Sequence, residues 1–207
     1  MEYGSLNIAL LPWICQENYD QSMSFIRECK ADWLGGHLEL GGFEMSRGIE
    51  SHGGMDYKLF DKFELVLTGH FHTSSRKDNV WYLGSQMEFF WSDAHDPKHF
   101  HIIDTETREI EKIRNTYTLF KKILYNDDKI EYNSYDVSDL DKKFVKVVVV
   151  NKNDAFVFDR FIDRIQNQDI YELKIAENFQ EFVGENVDDE GLNIEDTSQL
   201  VDDYIDG

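Results

Sequence analysis

Phe63-Glu-Leu-Val-Leu-Thr-Gly-His-Phe-His72 is the stretch on which the fold and the chemistry of this 207-residue chain turn. Phe63 to Leu67 is an apolar run of strand length, and Gly69-His70-Phe71-His72 follows at once. Upstream, Ala31 to Gly35 is a second such run, and it leads into Gly36-His37. Neutral imidazole is a common nitrogen ligand for transition metals. A glycine just ahead of the ligand lets the backbone turn sharply and approach an ion closely. Two histidines two apart at a strand end share one face, or splay towards two adjacent ions as strand gives way to loop. These residues therefore mark part of a metal site. Three imidazoles are too few to complete a two-ion one, because they offset none of its positive charge.

Outward from that stretch, the chain alternates short strands with few helices. Leu6 to Ile14 reads as a buried strand, and Gln21 to Lys30 as a helix with Asp20 as its cap. Leu40 to Gly54 holds five glycines and His52 and reads as a long loop, a kind of segment that is often functional. A short helix is expected over Asp56 to Asp61, and strands over Val80 to Leu83, His99 to Asp104 and Glu109 to Arg114, the last two joined by a turn at Thr105-Glu-Thr107. His99 and His101 alternate on one strand and read as structural. Trp13, Trp33, Trp81 and Trp91 read as core or interlayer packing. Lys143 to Val150 is a β-branched strand, and Asp154 to Gln166 an amphipathic helix with Phe158, Phe161, Ile162 and Ile165 on one stripe. Tyr171 to Ala176 closes a β-α-β unit, set apart by the polar stretch Asn126 to Asp141.

The net charge is −20, unevenly spread. Glu177 to Gly207 carries eleven acidic residues and no Lys or Arg, which leaves 30 acidic and 21 basic residues on the rest. This acidity removes any simple basic-patch argument for nucleic-acid binding. Two cysteines without Cys-x-x-Cys spacing fit a reduced intracellular protein. No basic leader and no long apolar run is present, so neither a signal peptide nor a membrane span is expected.

Five segments carry a family resemblance: Leu11-Pro-Trp-Ile-Cys-Gln-Glu-Asn18, Gly36-His-Leu-Glu-Leu40, Gly48-Ile-Glu-Ser-His-Gly53, Thr68-Gly-His-Phe-His-Thr73 and Asp104-Thr-Glu-Thr107. In these the chain resembles the SbcD-like recombination nucleases of T-even-type phages, members of the calcineurin-like metallophosphoesterases. The resemblance implies an α/β fold: the C-terminal half of a four-layer metallophosphoesterase sandwich over 1–124, a small α+β cap facing DNA over 125–180, and an acidic, flexible tail over 181–207 leading towards an ATPase-docking segment. It implies Mn-dependent phosphodiester hydrolysis in DNA recombination and repair, with two Mn ions in the complete site. His37 and His70 would serve one ion, His72 the other, and His52 would face substrate. Arg160 and Arg164 would lie along a DNA backbone, or else form a plain solvated helix face.

The family's first three motifs, Asp-x-His, Gly-Asp-x-x-Asp and Gly-Asn-His-Asp/Glu, are absent, and no catalytic residue is assigned. Asp93-Ala94-His95 matches the first on paper but follows the His-x-His element. The chain is thus expected to be the C-terminal part of such a subunit, a split gene product or a truncated reading frame, catalytically incomplete alone. Implied partners are DNA, an SbcC-type SMC-like ATPase, a separate N-terminal nuclease fragment and a second copy in a homodimer, with no membrane, in the host-cell cytoplasm. Half a sandwich would leave Ile8 to Leu11 and Leu65 to Leu67 in an uncovered sheet. Two alternatives stand beside this: a non-catalytic DNA- or partner-binding assembly module, and a metallophosphoesterase fragment acting outside nucleic acids.

Overall fold

The computed structural model describes residues 2–46 and 48–177, so the tail expectations over 181–207 lie outside the described residues. The fold is mixed α/β, with several sheets and few helices. The described residues form two compact units, one within 2–89 together with His95–Tyr117, and the other Phe90–Ala94 together with 118–177. Among the described residues no helix is long and apolar enough to cross a membrane.

The first unit runs β1 (Glu2–Tyr3), β2 (Leu6–Leu11), α1 (Tyr19–Glu28), β3 (Trp33–His37), β4 (Glu44–Ser46), β5 (Ile49–Glu50), a 3₁₀ turn at Tyr57–Phe60, β6 (Leu65–Gly69), β7 (Ser75–Lys77), β8 (Val80–Tyr82), β9 (His99–Ile103) and β10 (Ile110–Arg114). Its main sheet has the order β1-β2-β3-β6-β8-β7, and β2, β3, β6 and β8 are parallel neighbours. Strands in such a sheet are apolar on both faces because both faces are covered. On one face Ala9, Leu11, Leu34, Val66, Val80 and Tyr82 pack with Ile26 of α1 and with Phe60 and Phe63.

On the other face Leu6, Trp33, Leu65 and Leu67 form a second cluster, with Ile103 of β9 and Ile110 of β10 packed against it. Leu65 and Leu67 are therefore buried, against the expectation of an uncovered sheet. The antiparallel β9–β10 hairpin supplies the cover. Cover fades along β2, where Leu10 is 57% exposed. Arg108, in the hairpin turn, anchors this cover. Its guanidinium donates to the carboxylates of Asp32 and Glu64 and to the carbonyl of Ser5, at 2.9, 2.6 and 2.8 Å. Those three residues immediately precede β3, β6 and β2, so one cation gathers the N-terminal ends of three parallel strands.

Helix α1 begins two residues earlier than its periodicity suggests, with Asn18 rather than Asp20 at the cap. The Asn18 side chain faces backwards, accepting from the Cys15 amide and donating to the Trp13 carbonyl. The glycine-rich loop is partly ordered as the β4–β5 hairpin. Gly54 closes its base at φ +82°, where a Cβ would lie 2.5 Å from the Glu39 carbonyl oxygen. Only glycine serves there.

The second unit is a parallel sheet of β11 (Phe120–Asn126), β12 (Phe144–Asn151) and β13 (Glu172–Ala176), with α2 (Ala155–Gln166) crossing from β12 to β13. The β-α-β unit read from sequence is present. Asp154 caps α2 by accepting from the Phe156 and Val157 amides. Phe158, Phe161, Ile162 and Ile165 face Ile123, Tyr125, Val145, Val147 and Val149. The boundary differs from the expected 124/125. β11 pairs with β12 along its whole length, so a cut there would split a strand, and the unit takes in Thr118 onward and Phe90–Ala94.

Arg164 is not placed to follow a nucleic-acid backbone. It is half-buried and donates to the carbonyls of Tyr132, Asn133 and Tyr135, tying α2 to that loop. Arg160 is exposed, its guanidinium over the Phe156 ring. Charged hydrogen bonds contribute more than neutral ones, so Arg164→Met should cost about 1.5–3 kcal/mol in urea unfolding. Arg160→Met, on the surface, should stay within about 0.5 kcal/mol. Equal, small effects would contradict the anchoring role.

Candidate functional site

The C-terminal ends of β2, β3 and β6 lie side by side, and they carry the aromatic and imidazole groups. The parallel register sets Leu11 beside Gly36 and His37 beside Gly69. Trp13 follows β2, His37 ends β3 and His70 follows β6, so three rings are delivered to one end of the sheet. The His37 and His70 rings meet edge-on with centroids 5.4 Å apart. Trp13 lies 4.9 Å from His70 and 5.7 Å from His37. In an open parallel sheet this carboxyl end is where ligands bind.

Second-layer bonds fix the turn after His37. The Thr68 hydroxyl accepts from the Leu38 amide at 2.9 Å and donates to the Gly69 carbonyl at 3.1 Å. The buried Tyr82 hydroxyl donates to the Leu38 carbonyl at 2.7 Å and accepts from the Leu40 amide at 2.9 Å. Burial pushes the Tyr82 phenol well up, so it stays neutral and can play both parts.

The glycine of the His-x-His element works differently from the sequence-based expectation. The sharp turn belongs to His70 itself, at φ +95°, a conformation costly for a residue with a side chain. Gly69 instead makes room: a Cβ there would sit 3.0 Å from His37 Nδ1. Burial holds the His70 pKa below its ordinary 6.5, and His37 and His72 push the same way against the opposing Glu39 carboxylate. His70 is therefore neutral at neutral pH, the form that binds a metal.

The structure brings together His37 and His70 but gives His72 a different setting. The His72 ring neighbours Phe89 at 5.7 Å. Its carbonyl accepts from the Ser85 amide and from the Lys98 ammonium, a cation buried beside Asp96. His52 is exposed on the glycine-rich loop, outside the ring cluster. His99 and His101 are partly buried in the hairpin, and His101 meets the edge of Trp81 at 5.1 Å. In the Asp93-Ala94-His95 decoy, the Asp93 carboxylate accepts from the Phe90 amide and closes a short turn. Sequence reasoning missed Trp13, taken for packing but 42% exposed over the histidines, and Glu39, whose exposed carboxylate acts on His70. The only signal for Glu39 was its place two residues after Gly36-His37.

Among the described residues no group of three or more His, Cys, Asp or Glu side chains is gathered to hold a metal ion. Two imidazoles at neighbouring strand ends are a partial donor set, with no carboxylate to bridge two cations. The residues present do not by themselves fit a two-ion cluster.

No protein-family model matches the chain. Over 206 residues it is 30% identical to Exonuclease subunit 1 of Enterobacteria phage T4. The match takes in 99% of this chain but 58% of that protein, so the resemblance to a T-even phage nuclease subunit extends over nearly all the residues in hand and over part of the relative.

Lowered histidine values have a consequence for stability. His70, His99 and His101 all sit below 6.5, with burial the leading cause in each. The unfolded chain then binds more protons than the folded one between those lowered values and 6.5, so stability rises with pH in that window. Urea unfolding should show full stability above about pH 7 and a decline as pH falls through 6.5. In an NMR titration the His70 ring should titrate below 6.5. A His70 value at or above 6.5 would contradict its partly buried placement.

Proposed function

We propose that this chain is the C-terminal part of an SbcD-like DNA nuclease subunit, and that the ring cluster at the ends of β3 and β6 is its share of a metal-dependent phosphodiesterase site. One observation carries the proposal. The chain is related over nearly its whole length to a phage exonuclease subunit, and the register of its central sheet brings His37 and His70 within ring contact at the sheet's carboxyl end. On this reading the parallel sheet and its covering hairpin belong to a calcineurin-like metallophosphoesterase sandwich.

His37 and His70 would be ligands to one Mn ion and His72 to a second, with His52 facing substrate. The remaining donors, including any bridging carboxylate, would come from sequence outside these 207 residues. The name of the T4 relative makes it one subunit of a larger enzyme, which supports a multi-subunit assembly for this chain as well. An SbcC-type ATPase, DNA and a second copy of the subunit would be the partners, in the host-cell cytoplasm. The absence of a three-donor group among the described residues favours a second reading for the chain taken alone, that of a binding or assembly module without chemistry.

The 207-residue chain alone should therefore show no Mn-dependent hydrolysis of single- or double-stranded DNA above background, because groups that act as a unit lose orders of magnitude when some are missing. Combined with a polypeptide that supplies the missing donors, it should take up two Mn ions by calorimetry. That number should fall to about one in each of His37→Ala, His70→Ala and His72→Ala. Robust turnover by the chain alone, abolished by His70→Ala, would show a complete site and overturn the proposal. Metal uptake unaltered by all three substitutions would move the assignment to the assembly module.

A further inference from the structure

Beside the ring cluster lies an open cavity of about 240 Å³. Trp13 and Tyr19 stand on its rim, 42% and 49% exposed, and Leu38, Met55 and Glu39 are among its walls. Exposed aromatics of this size next to a candidate site call for a reason, since burying them is favourable and their flat faces are stacking platforms. The Trp13 backbone is already fixed. Asn18 donates from its side-chain amide to the Trp13 carbonyl at 2.9 Å and accepts from the Cys15 amide at 2.8 Å. The indole rests against His70 on one side and borders the cavity.

We propose that this cavity is a nucleobase subsite, which takes one unstacked base against Trp13 and favours bases that carry an exocyclic amino group. The class of ligand rests on the nuclease reading above. The rest follows from the walls. Ligand cavities for drug-sized molecules run about 300–1,000 Å³, so this one has room for a planar ring and not for a whole nucleotide. Among the described residues Glu39 is the one charged residue of the lining. Its carboxylate repels a phosphate but accepts from an N–H donor, which adenine, cytosine and guanine present and thymine lacks at that position. Stacking on an aromatic face is tolerant of sequence, so the carboxylate supplies the preference. Placed 4.9 Å from His70, Trp13 would then set how far a strand end reaches past the imidazoles, as a positioning residue.

The test uses the metal-free 207-residue chain and proton–nitrogen NMR, with the Trp13 indole N–H identified by its loss in Trp13→Phe. Deoxyadenosine and deoxycytidine monophosphates should move the indole signal saturably. Thymidine monophosphate should bind about fivefold more weakly, the worth of one net hydrogen bond. Deoxyribose 5-phosphate should leave the signal in place. Trp13→Ala should abolish the shifts that the adenine nucleotide causes at Tyr19 and Met55, while Trp13→Phe keeps them. Glu39→Gln should bring thymine level with adenine, since an amide both accepts and donates. No saturable shift, or the same shift from the sugar phosphate, would overturn the subsite. Equal binding of thymine and adenine nucleotides by the unsubstituted chain would overturn the amino preference. No metal or turnover is involved in this test, so base binding by the chain with no Mn uptake once the missing donors are supplied would sink only the nuclease reading, and Mn uptake there without base binding only the subsite.

Discussion

The parallel, in-register pairing of β3 with β6 is the constraint from which the site follows. It sets His37 beside Gly69, so the residue after Gly69 cannot avoid the His37 ring. Parallel strands end on the same side, and that alone collects Trp13, His37 and His70 from three distant parts of the sequence. The missing Cβ of Gly69 leaves the space that the His37 ring fills. At the other end of the same strands, Arg108 draws together the residues just before β2, β3 and β6. Because the hairpin is tied at that end, the register is held at one end of the strands and expressed at the other.

The parts of the fold legible in sequence were those whose signal is local. The β-branched run of β12 and the apolar stripe of α2 gave a β-α-β unit that the structure contains. The apolar runs before each Gly-His marked β3 and β6 to within two residues. β11 was obscured because Lys121 and Lys122 open a strand whose ladder partner, β12, lies some twenty residues on. The burial of Leu65 and Leu67 was illegible for a similar reason: whether Ile103 and Ile110 cover them is a tertiary fact that an alternating strand does not reveal.

The site was legible in its histidines and not in their supports. Two Gly-His steps, each after an apolar run, signal imidazoles at two strand ends, and the rings of His37 and His70 do meet, while His72 lies against Phe89. Nothing in the spacing said that His70 would carry the positive φ, that Tyr82 would bond both Leu38 and Leu40, or that a buried Lys98 would hold the His72 carbonyl. Arg164 shows the same limit from the other side. A cation on a helix suggests a phosphate, while three nearby carbonyls satisfy it. Charge patterning names the donor and leaves its acceptor open.

Electrostatics explains why such a cluster would need company. His70 is held neutral by burial and by its imidazole neighbours, which suits a ligand, but neutral donors leave the charge of two cations unbalanced. The central structural claim is that the parallel register of β3 and β6 assembles the ring cluster. The most direct measurement is a set of nuclear Overhauser contacts in the metal-free chain. Cross-peaks between the ring protons of His37 and His70, and between Trp13 and His70, are the predicted result. Absence of both, with the β3–β6 amide ladder still protected from exchange, would show that register does not bring these rings together.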